Sequence, residues 1–147
     1  MPVQHILVPL DYSASADRAL AYAIEFAKKL QARVTLLHVI DFPQLVDTSL
    51  APYRARLAAE TGRALEACLQ QVQDAGVQGD MLRVHGTPFQ EIIETAKTAG
   101  VDLIIMGTQG RTGLPHLLLG SVAEKVVRLA PCPVLVTRPT ADNAAAS

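Results

Sequence analysis

The sequence predicts a single-domain α/β fold, a doubly wound parallel sheet with helices on both faces. Five short apolar runs alternate with four helical segments along the 147 residues, and this alternation is typical of a parallel sheet covered on both sides. The runs are continuously apolar rather than alternating, as strands buried on both faces are. Right-handed crossovers leave few ways to wind such a sheet.

The amino-terminal half predicts two strands and two helices. An apolar run over residues 5–10 predicts the first strand. The helix after it begins near Ser13 or Ser15 as N-cap, and its apolar stripe consists of Leu20, Ala23, Ala27 and Leu30. Residues 33–40 predict the second strand and residues 41–52 a loop. A long helix follows and ends at Gly76 or Gly79; its stripe consists of Leu57, Leu65, Cys68, Leu69 and Val72.

The carboxyl-terminal half continues the alternation. Residues 80–85, 101–107 and 133–138 predict the last three strands. A capping box with Pro88 at the first helical position starts the third helix, with Phe89, Ile92, Ile93 and Ala96 on one face. The fourth helix covers residues 121–130 and is expected to turn Val122, Val126 and Leu129 inward. We expect one domain over residues 1–139 and a disordered polar tail over residues 140–147.

Composition excludes several classes of function. The 13 basic and 14 acidic residues nearly cancel, so there is no electrostatic footprint for nucleic acid. No apolar run approaches the roughly 18 residues of a membrane span, and the first residues lack the features of a signal peptide. We expect a cytoplasmic protein with no nucleic-acid partner and no membrane insertion. Cys68 and Cys132 are expected to be ordinary buried thiols, and His5 and His38 to pack in or beside strands.

The segment GTQGRTGLPHLLLGS, from Gly107 to Ser121, is too long for a simple strand-to-helix connection. Ligands of such sheets bind beyond the carboxyl ends of the strands, where the winding reverses. If the strand order is 3-2-1-4-5, this point lies between the first and fourth strands. The segment then begins at the expected crevice, facing residues 9–11.

The glycine segment has the chemistry of an anion site. Gly107 and Gly110 would let backbone amides approach an anion, Gly120 and Ser121 open a helix with unpaired N–H groups, and Arg111 suits phosphate oxygens. An interpretation without a ligand also stays open for three of these glycines. In it, Gly107 ends a strand, and Gly110 and Gly113 are turn residues. Ser121 with Glu124 also matches a capping box that needs no ligand.

The spacing G-x2-G-x9-G-[ST] of this segment closely resembles the ATP-binding branch of the universal stress protein family. The flanking DLIIMG and SVAEKVVRLAPCPVLV match the family, as do the opening HILVPLDYSASADRAL and RVTLLHVID. The likeness covers the chain except the 41–53 loop and the tail. It implies the family's Rossmann-like sheet in the order 3-2-1-4-5.

The resemblance also implies a ligand and its contacts. The ligand is ATP, with Mg²⁺ held mainly through phosphate oxygens, and no residue is assigned to catalysis or to the metal itself. The implied adenine and ribose contacts are Pro9, Leu10, Asp11, Val39, Met106 and Gly107. The implied phosphate contacts are Thr108, Gly110, Arg111, Gly113, Gly120, Ser121 and Val122.

The leading functional hypothesis is an ATP-binding regulator of stress physiology whose nucleotide state changes its protein partner. Fast phosphoryl transfer needs a positioned base and cationic stabilisation, and apart from Arg111 the segment offers neither, so at most weak ATP hydrolysis is expected. A slow ATP-hydrolysing enzyme and a nucleotide-independent or cyclic-AMP-binding interaction module are the alternatives. The last strand is apolar at Val134, Leu135 and Val136, and as an edge strand it predicts a homodimer.

Overall fold

The computed structural model describes residues 2–11, 14–41, 50–108 and 119–138. Strands and helices alternate along these ranges, as predicted. The strands are β1 (His5–Pro9), β2 (Arg33–Ile40), β3 (Gly79–His85), β4 (Leu103–Gly107) and β5 (Val134–Thr137). The helices are α1 (Ala14–Leu30), α2 (Ala51–Asp74), α3 (Pro88–Thr98) and α4 (Ser121–Leu129). Residues 42–49 of the predicted loop and the predicted tail lie outside the described residues.

The strands form one parallel sheet in the order β3-β2-β1-β4-β5. This confirms the predicted fold class and strand order. The central strand β1 is buried from His5 to Val8, as its continuous apolar run predicted. β3 and β5 are the two edges of the sheet.

Two apolar layers cover the sheet. On one face, Ile6 and Val8 of β1 belong to a cluster with the alanines of α1 and with Leu65 and Val72 of α2. On the other face, Leu7 belongs to a cluster with residues of α3 and α4, namely Ile92, Ala96, Ala123 and Val126. Because successive strand residues point to opposite faces, one apolar run supplies both layers.

Two predicted core residues lie at the surface. Leu129 is 52% exposed, so the inward orientation expected for it is wrong, and Leu30, the last residue of its predicted stripe, is 47% exposed. Each is the last residue of its helix, where it projects past the packed part of the apolar stripe. Cys68 and Cys132 are half-buried rather than buried, and partial burial raises the pKa of both thiols.

The predicted helix ends are confirmed in part. α1 begins at Ala14, so Ser15 lies in its first turn and is not the N-cap, and Ser13 lies outside the described residues. Gly76 follows the C-cap of α2 with φ +79, a left-handed conformation that glycine adopts without strain. Thr87 is the N-cap of α3 and Pro88 its first residue, as predicted, but the Thr87 side chain makes no capping hydrogen bond, so the predicted capping box is wrong. Among the described helices, none is long and apolar enough to cross a membrane.

A polar cluster closes the amino-terminal edge of the sheet. The His5 ring donates from Nδ1 to the Ala99 carbonyl (3.2 Å), and its Nε2 lies 2.7 Å from Thr35 Oγ1. The Thr35 hydroxyl lies 2.5 Å from Asp80 Oδ1, while Asp102 accepts from the backbone N–H of His5 at 3.0 Å. His5 is buried, as expected, and desolvation lowers its pKa. These contacts join four elements or loops and are structural.

Candidate functional site

The sheet opens between β1 and β4 at its carboxyl edge. The ladder between β1 and β4 ends at Leu7↔Ile104. β1 nevertheless stays paired with β2 up to Pro9, and β4 stays paired with β5 up to Gly107. The two strands therefore part before their ends, at the point where the winding reverses. This is the position at which open α/β sheets bind ligands.

The loop after β1 is fixed by both backbone groups of Leu10. Its N–H donates to the Leu37 carbonyl at 2.8 Å, and its carbonyl accepts from Nδ1 of the buried His38 at 2.9 Å. Asp11 is half-buried directly after it. Val39 is also half-buried near the end of β2. The structure thus brings Pro9, Leu10, Asp11 and Val39 to one edge, and His38 holds the loop, a role that its sequence position did not reveal.

Gly107 is required by packing. A Cβ added at this residue would contact the Ser15 side chain at Oγ and would lie 2.7 Å from the Ser15 carbonyl carbon. Ser15 lies in the first turn of α1, so only glycine lets that helix begin against the end of β4. The interpretation of Gly107 as a strand end that needs no ligand is therefore sufficient for this residue. The neighbouring Met106 is buried.

Thr137 and Thr108 join the elements around the opening. The Thr137 hydroxyl donates to the Ser15 carbonyl at 3.1 Å, and the Thr137 carbonyl accepts from the N–H of Thr108 at 2.8 Å. The Thr108 carbonyl in turn accepts from the N–H of Gly120 at 2.6 Å. The two ends of the glycine segment are therefore bonded directly to each other. Gly110, Arg111 and Gly113 lie between them, outside the described residues.

The amino end of α4 faces this junction without a side-chain cap. Gly120 is the N-cap, and Ser121 is the first helical residue, so the predicted capping box on Ser121 is wrong. Glu124 instead pairs with Arg128 at 2.7 Å. The first backbone N–H groups of a helix have no partner within the helix. The N–H groups of Ser121 and Val122 make no hydrogen bond with any of the described residues, and neither does the exposed Ser121 hydroxyl.

Thr108 adds a buried hydroxyl to the same place. The residue is only 7% exposed, and its Oγ1 has no hydrogen-bond partner among the described residues. Such an unsatisfied buried group costs about 1–3 kcal/mol. The unpaired N–H groups at the amino end of α4 and two hydroxyls that can donate form a set of groups that suits an anion.

The described residues offer no comparable metal centre. No group of three or more His, Cys, Asp or Glu side chains among them is placed to hold a metal ion. The donors at α4 would hold a negatively charged ligand rather than a cation.

Comparison with known proteins identifies the family. The model of the universal stress protein family matches residues 2–138. The chain belongs to this family. Universal stress protein MJ0531 of Methanocaldococcus jannaschii is 37% identical over 137 residues, which cover 90% of this chain and 81% of the relative. The solved structure of MJ0577 from the same organism superposes with a TM-score of 0.84 at 35% identity, covering 93% of this chain and 96% of that one.

Two further universal stress proteins of the same fold hold nucleotides. One is a family protein from Arabidopsis thaliana with AMP bound, at a TM-score of 0.72 and 22% identity over 95% of this chain and 94% of that one. The other is in complex with cAMP, at a TM-score of 0.70 and 24% identity over 95% of this chain and 100% of that one. At these identities the likeness shows a shared fold.

Proposed function

We propose that this universal stress protein binds ATP at the carboxyl edge of its sheet and acts in the cytoplasm as a nucleotide-dependent regulator of the stress response. One observation carries the proposal: the uncapped amino end of α4 lies beside the opening between β1 and β4. Family members of the same fold hold AMP and cAMP, which supports an adenine nucleotide as the class of ligand.

The loop after β1 is the proposed base and ribose side. Leu10 is held by Leu37 and His38, so the backbone beside Asp11 is fixed before a ligand arrives. A carboxylate accepts hydrogen bonds, and Asp11 would accept from a ribose hydroxyl or an adenine donor. Val39 adds apolar surface for the adenine ring, and Met106 and Gly107, at the end of β4, are proposed to lie near the ribose.

The amino end of α4 is the proposed phosphate side. The N–H groups of Ser121 and Val122 and the Ser121 hydroxyl would donate to phosphate oxygens, together with Thr108 Oγ1. Gly110, Arg111 and Gly113 are proposed to complete the contacts. Mg²⁺ would be held mainly through the phosphate oxygens, because the described residues form no cluster of metal ligands.

This arrangement favours binding over catalysis. The described groups at α4 are donors, and the carboxylate of Glu124 is paired with Arg128 rather than placed to activate water. Phosphoryl transfer at the roughly 1–100 s⁻¹ of kinases requires such a base as well as charge stabilisation. We therefore propose regulation through the bound nucleotide, with at most weak hydrolysis.

The first experiment identifies the ligand and tests its contacts. Mass spectrometry of the small molecules released from purified protein should find ATP, and calorimetry should show ATP binding to the stripped protein. Ser121→Ala removes an exposed hydroxyl that makes no bond with the described residues, so stability should stay the same. ATP affinity should fall about tenfold, the effect of losing one hydrogen bond to a charged group.

Thr98→Ala is the matched control, because it removes another exposed helical hydroxyl, in the last turn of α3 and outside the proposed site. It should leave ATP affinity unchanged. Wild-type protein that releases no nucleotide and binds none in calorimetry would contradict the proposed function. Equal affinity of Ser121→Ala and wild type would contradict the placement of the phosphates.

We also propose that the protein is a homodimer paired through β5. Among the described residues this strand is paired with β4 alone, so the N–H and C=O groups of its other edge have no described partner strand. Val134, Leu135 and Val136 are all half-buried. Val127 and Leu129, on the helix that leads into β5, are 47% and 52% exposed. Two-fold pairing with a second copy would cover this edge.

A further inference from the structure

Arg138 lies at the same edge of the sheet as the proposed phosphate side. It follows β5 directly, and the register Gly107↔Thr137 places the next residues of the two strands, Thr108 and Arg138, side by side. The N–H of Thr108 donates to the Thr137 carbonyl, and the Thr108 carbonyl accepts from Gly120, the N-cap of α4. Arg138 is thus one strand away from a residue bonded to the α4 cap.

The alternation of β5 assigns Arg138 to the face that α4 covers. Thr137 faces α1, because its hydroxyl donates to the Ser15 carbonyl. Val134 packs in the cluster that contains Ala123 and Val126 of α4. Strand side chains alternate between faces, and continuing this alternation one residue past the end of β5 places Arg138 on the face of Val134. Its side chain therefore leaves the backbone on the side of α4 and near its amino end.

The guanidinium of Arg138 has no competing partner among the described residues. Arg138 is exposed, and the described ion pair of this region joins two other residues, Arg128 and Glu124. The junction beside it holds the buried Thr108 hydroxyl without a described partner and the uncapped amino end of α4. The backbone N–H groups of α4 and the guanidinium only donate, and the Thr108 hydroxyl can donate as well, so a ligand with several acceptor oxygens suits them.

We propose that Arg138 is a phosphate-binding residue of the nucleotide site. Its planar guanidinium would form paired hydrogen bonds with phosphate oxygens and supply a full positive charge beside the backbone N–H groups of α4. This proposal rests on the proposed function and deepens it. It makes the site sensitive to the number of phosphates, because a cation here contributes to binding the phosphate chain and nothing to binding adenine or ribose.

The test is a titration of the full chain with ATP, ADP, AMP and adenosine by calorimetry. Arg138→Gln keeps a polar side chain and removes the charge. Its Kd for ATP should rise at least tenfold, and its Kd for adenosine should stay within twofold of wild type. Arg138→Lys keeps the charge without the planar guanidinium, and its Kd for ATP should lie between those of wild type and Arg138→Gln. The ATP affinity of wild type should also weaken with added salt more steeply than that of Arg138→Gln, as expected for a lost charge contact.

Arg63→Gln is the matched control, because Arg63 is an exposed arginine of α2 and the change in net charge is the same. It should bind ATP as wild type does. An ATP Kd of Arg138→Gln within twofold of wild type would overturn the role of Arg138 while leaving the proposed function intact. An equal loss for ATP and adenosine would also overturn it, since that pattern indicates a structural role. Wild-type protein that binds no adenine nucleotide would overturn the proposed function, and the role of Arg138 with it.

Discussion

Replacing Gly107 with alanine should destabilise the protein even when no nucleotide is present. The added Cβ would lie 2.7 Å from the Ser15 carbonyl carbon and 2.8 Å from its Cβ. The first distance is 0.7 Å shorter than 3.4 Å, the shortest ordinary van der Waals contact of a Cβ atom. A rotamer change of Ser15 relieves the contact with its hydroxyl but not the contact with backbone, so the first turn of α1 must move.

The expected cost follows from overpacking. Forcing an extra methyl group into a packed site costs about 1–3 kcal/mol. For a domain of this length, such a loss lowers the midpoint of thermal unfolding by about 3–10 °C. A shift of α1 would also strain the hydrogen bond from Thr137 to the Ser15 carbonyl. Urea denaturation and calorimetric melting of nucleotide-stripped protein measure the effect.

Gly62→Ala is the matched control. Gly62 lies inside α2, and the nearest atom to an added Cβ is the terminal nitrogen of Arg83 at 3.2 Å, the end of a flexible side chain. Alanine inside a helix is more stable than glycine by roughly 0.5–1 kcal/mol, so this variant should melt at or above the wild-type temperature. If Gly107→Ala keeps the stability of the stripped protein and loses only ATP affinity, the packing argument is refuted and the glycine is required by the ligand.

Three further predictions concern pH, assembly and turnover. Burial lowers the pKa of His5, so the unfolded chain takes up a proton on His5 at a higher pH than the folded protein does. The stability that neutral His5 contributes is therefore complete above about pH 6.5. It is lost as the pH falls below that value. Urea denaturation should therefore show a steeper loss between pH 7.5 and 5.5 for wild type than for His5→Gln. Val136→Lys should convert a sedimenting dimer into monomer or aggregate, whereas Leu82→Lys on the opposite edge strand should leave the dimer intact. Carefully purified protein should hydrolyse ATP far more slowly than the roughly 1–100 s⁻¹ of kinases.

Each of these has a contradicting outcome. Equal pH slopes for wild type and His5→Gln would show that His5 binds its proton equally well in both states. A wild-type protein that sediments as a monomer at micromolar concentration would mean that something other than a second copy covers β5. Multiple fast turnovers of ATP would replace the regulatory hypothesis with an enzymatic one.

Local pattern was enough to predict the elements and their order. The period of apolar residues depends on backbone geometry within a few residues, and an apolar run such as residues 33–40 has a strand's period wherever it lies in the fold. The prediction was weakest where burial depends on distant segments. Leu30 and Leu129 continue their helical stripes, yet each lies past the last packed turn, and only the placement of the helix on the sheet decides that.

The candidate site divides in the same way. The motif marked Gly107, Gly120 and Ser121 as special, but the sequence left open why each is needed. Gly107 proved to be needed by the approach of α1, a segment more than 90 positions away along the chain. Ser121 matched a capping box by spacing, yet the helix begins at Ser121 itself and leaves the hydroxyl unused by the described residues. Helix boundaries shift by a residue or two with tertiary context, and one residue separates a cap from a first turn.

The sequence by itself determined the family, the alternation of strands and helices and the segment that carries the proposed site, because all of these are encoded in spacing along the chain. The tertiary structure decided which groups meet at that segment. The parting of β1 from β4, the hold of His38 on Leu10 and the position of Arg138 beside Thr108 each join segments far apart in sequence. Such contacts arise only when the sheet is assembled, since strand register, and not local pattern, sets which residues become neighbours.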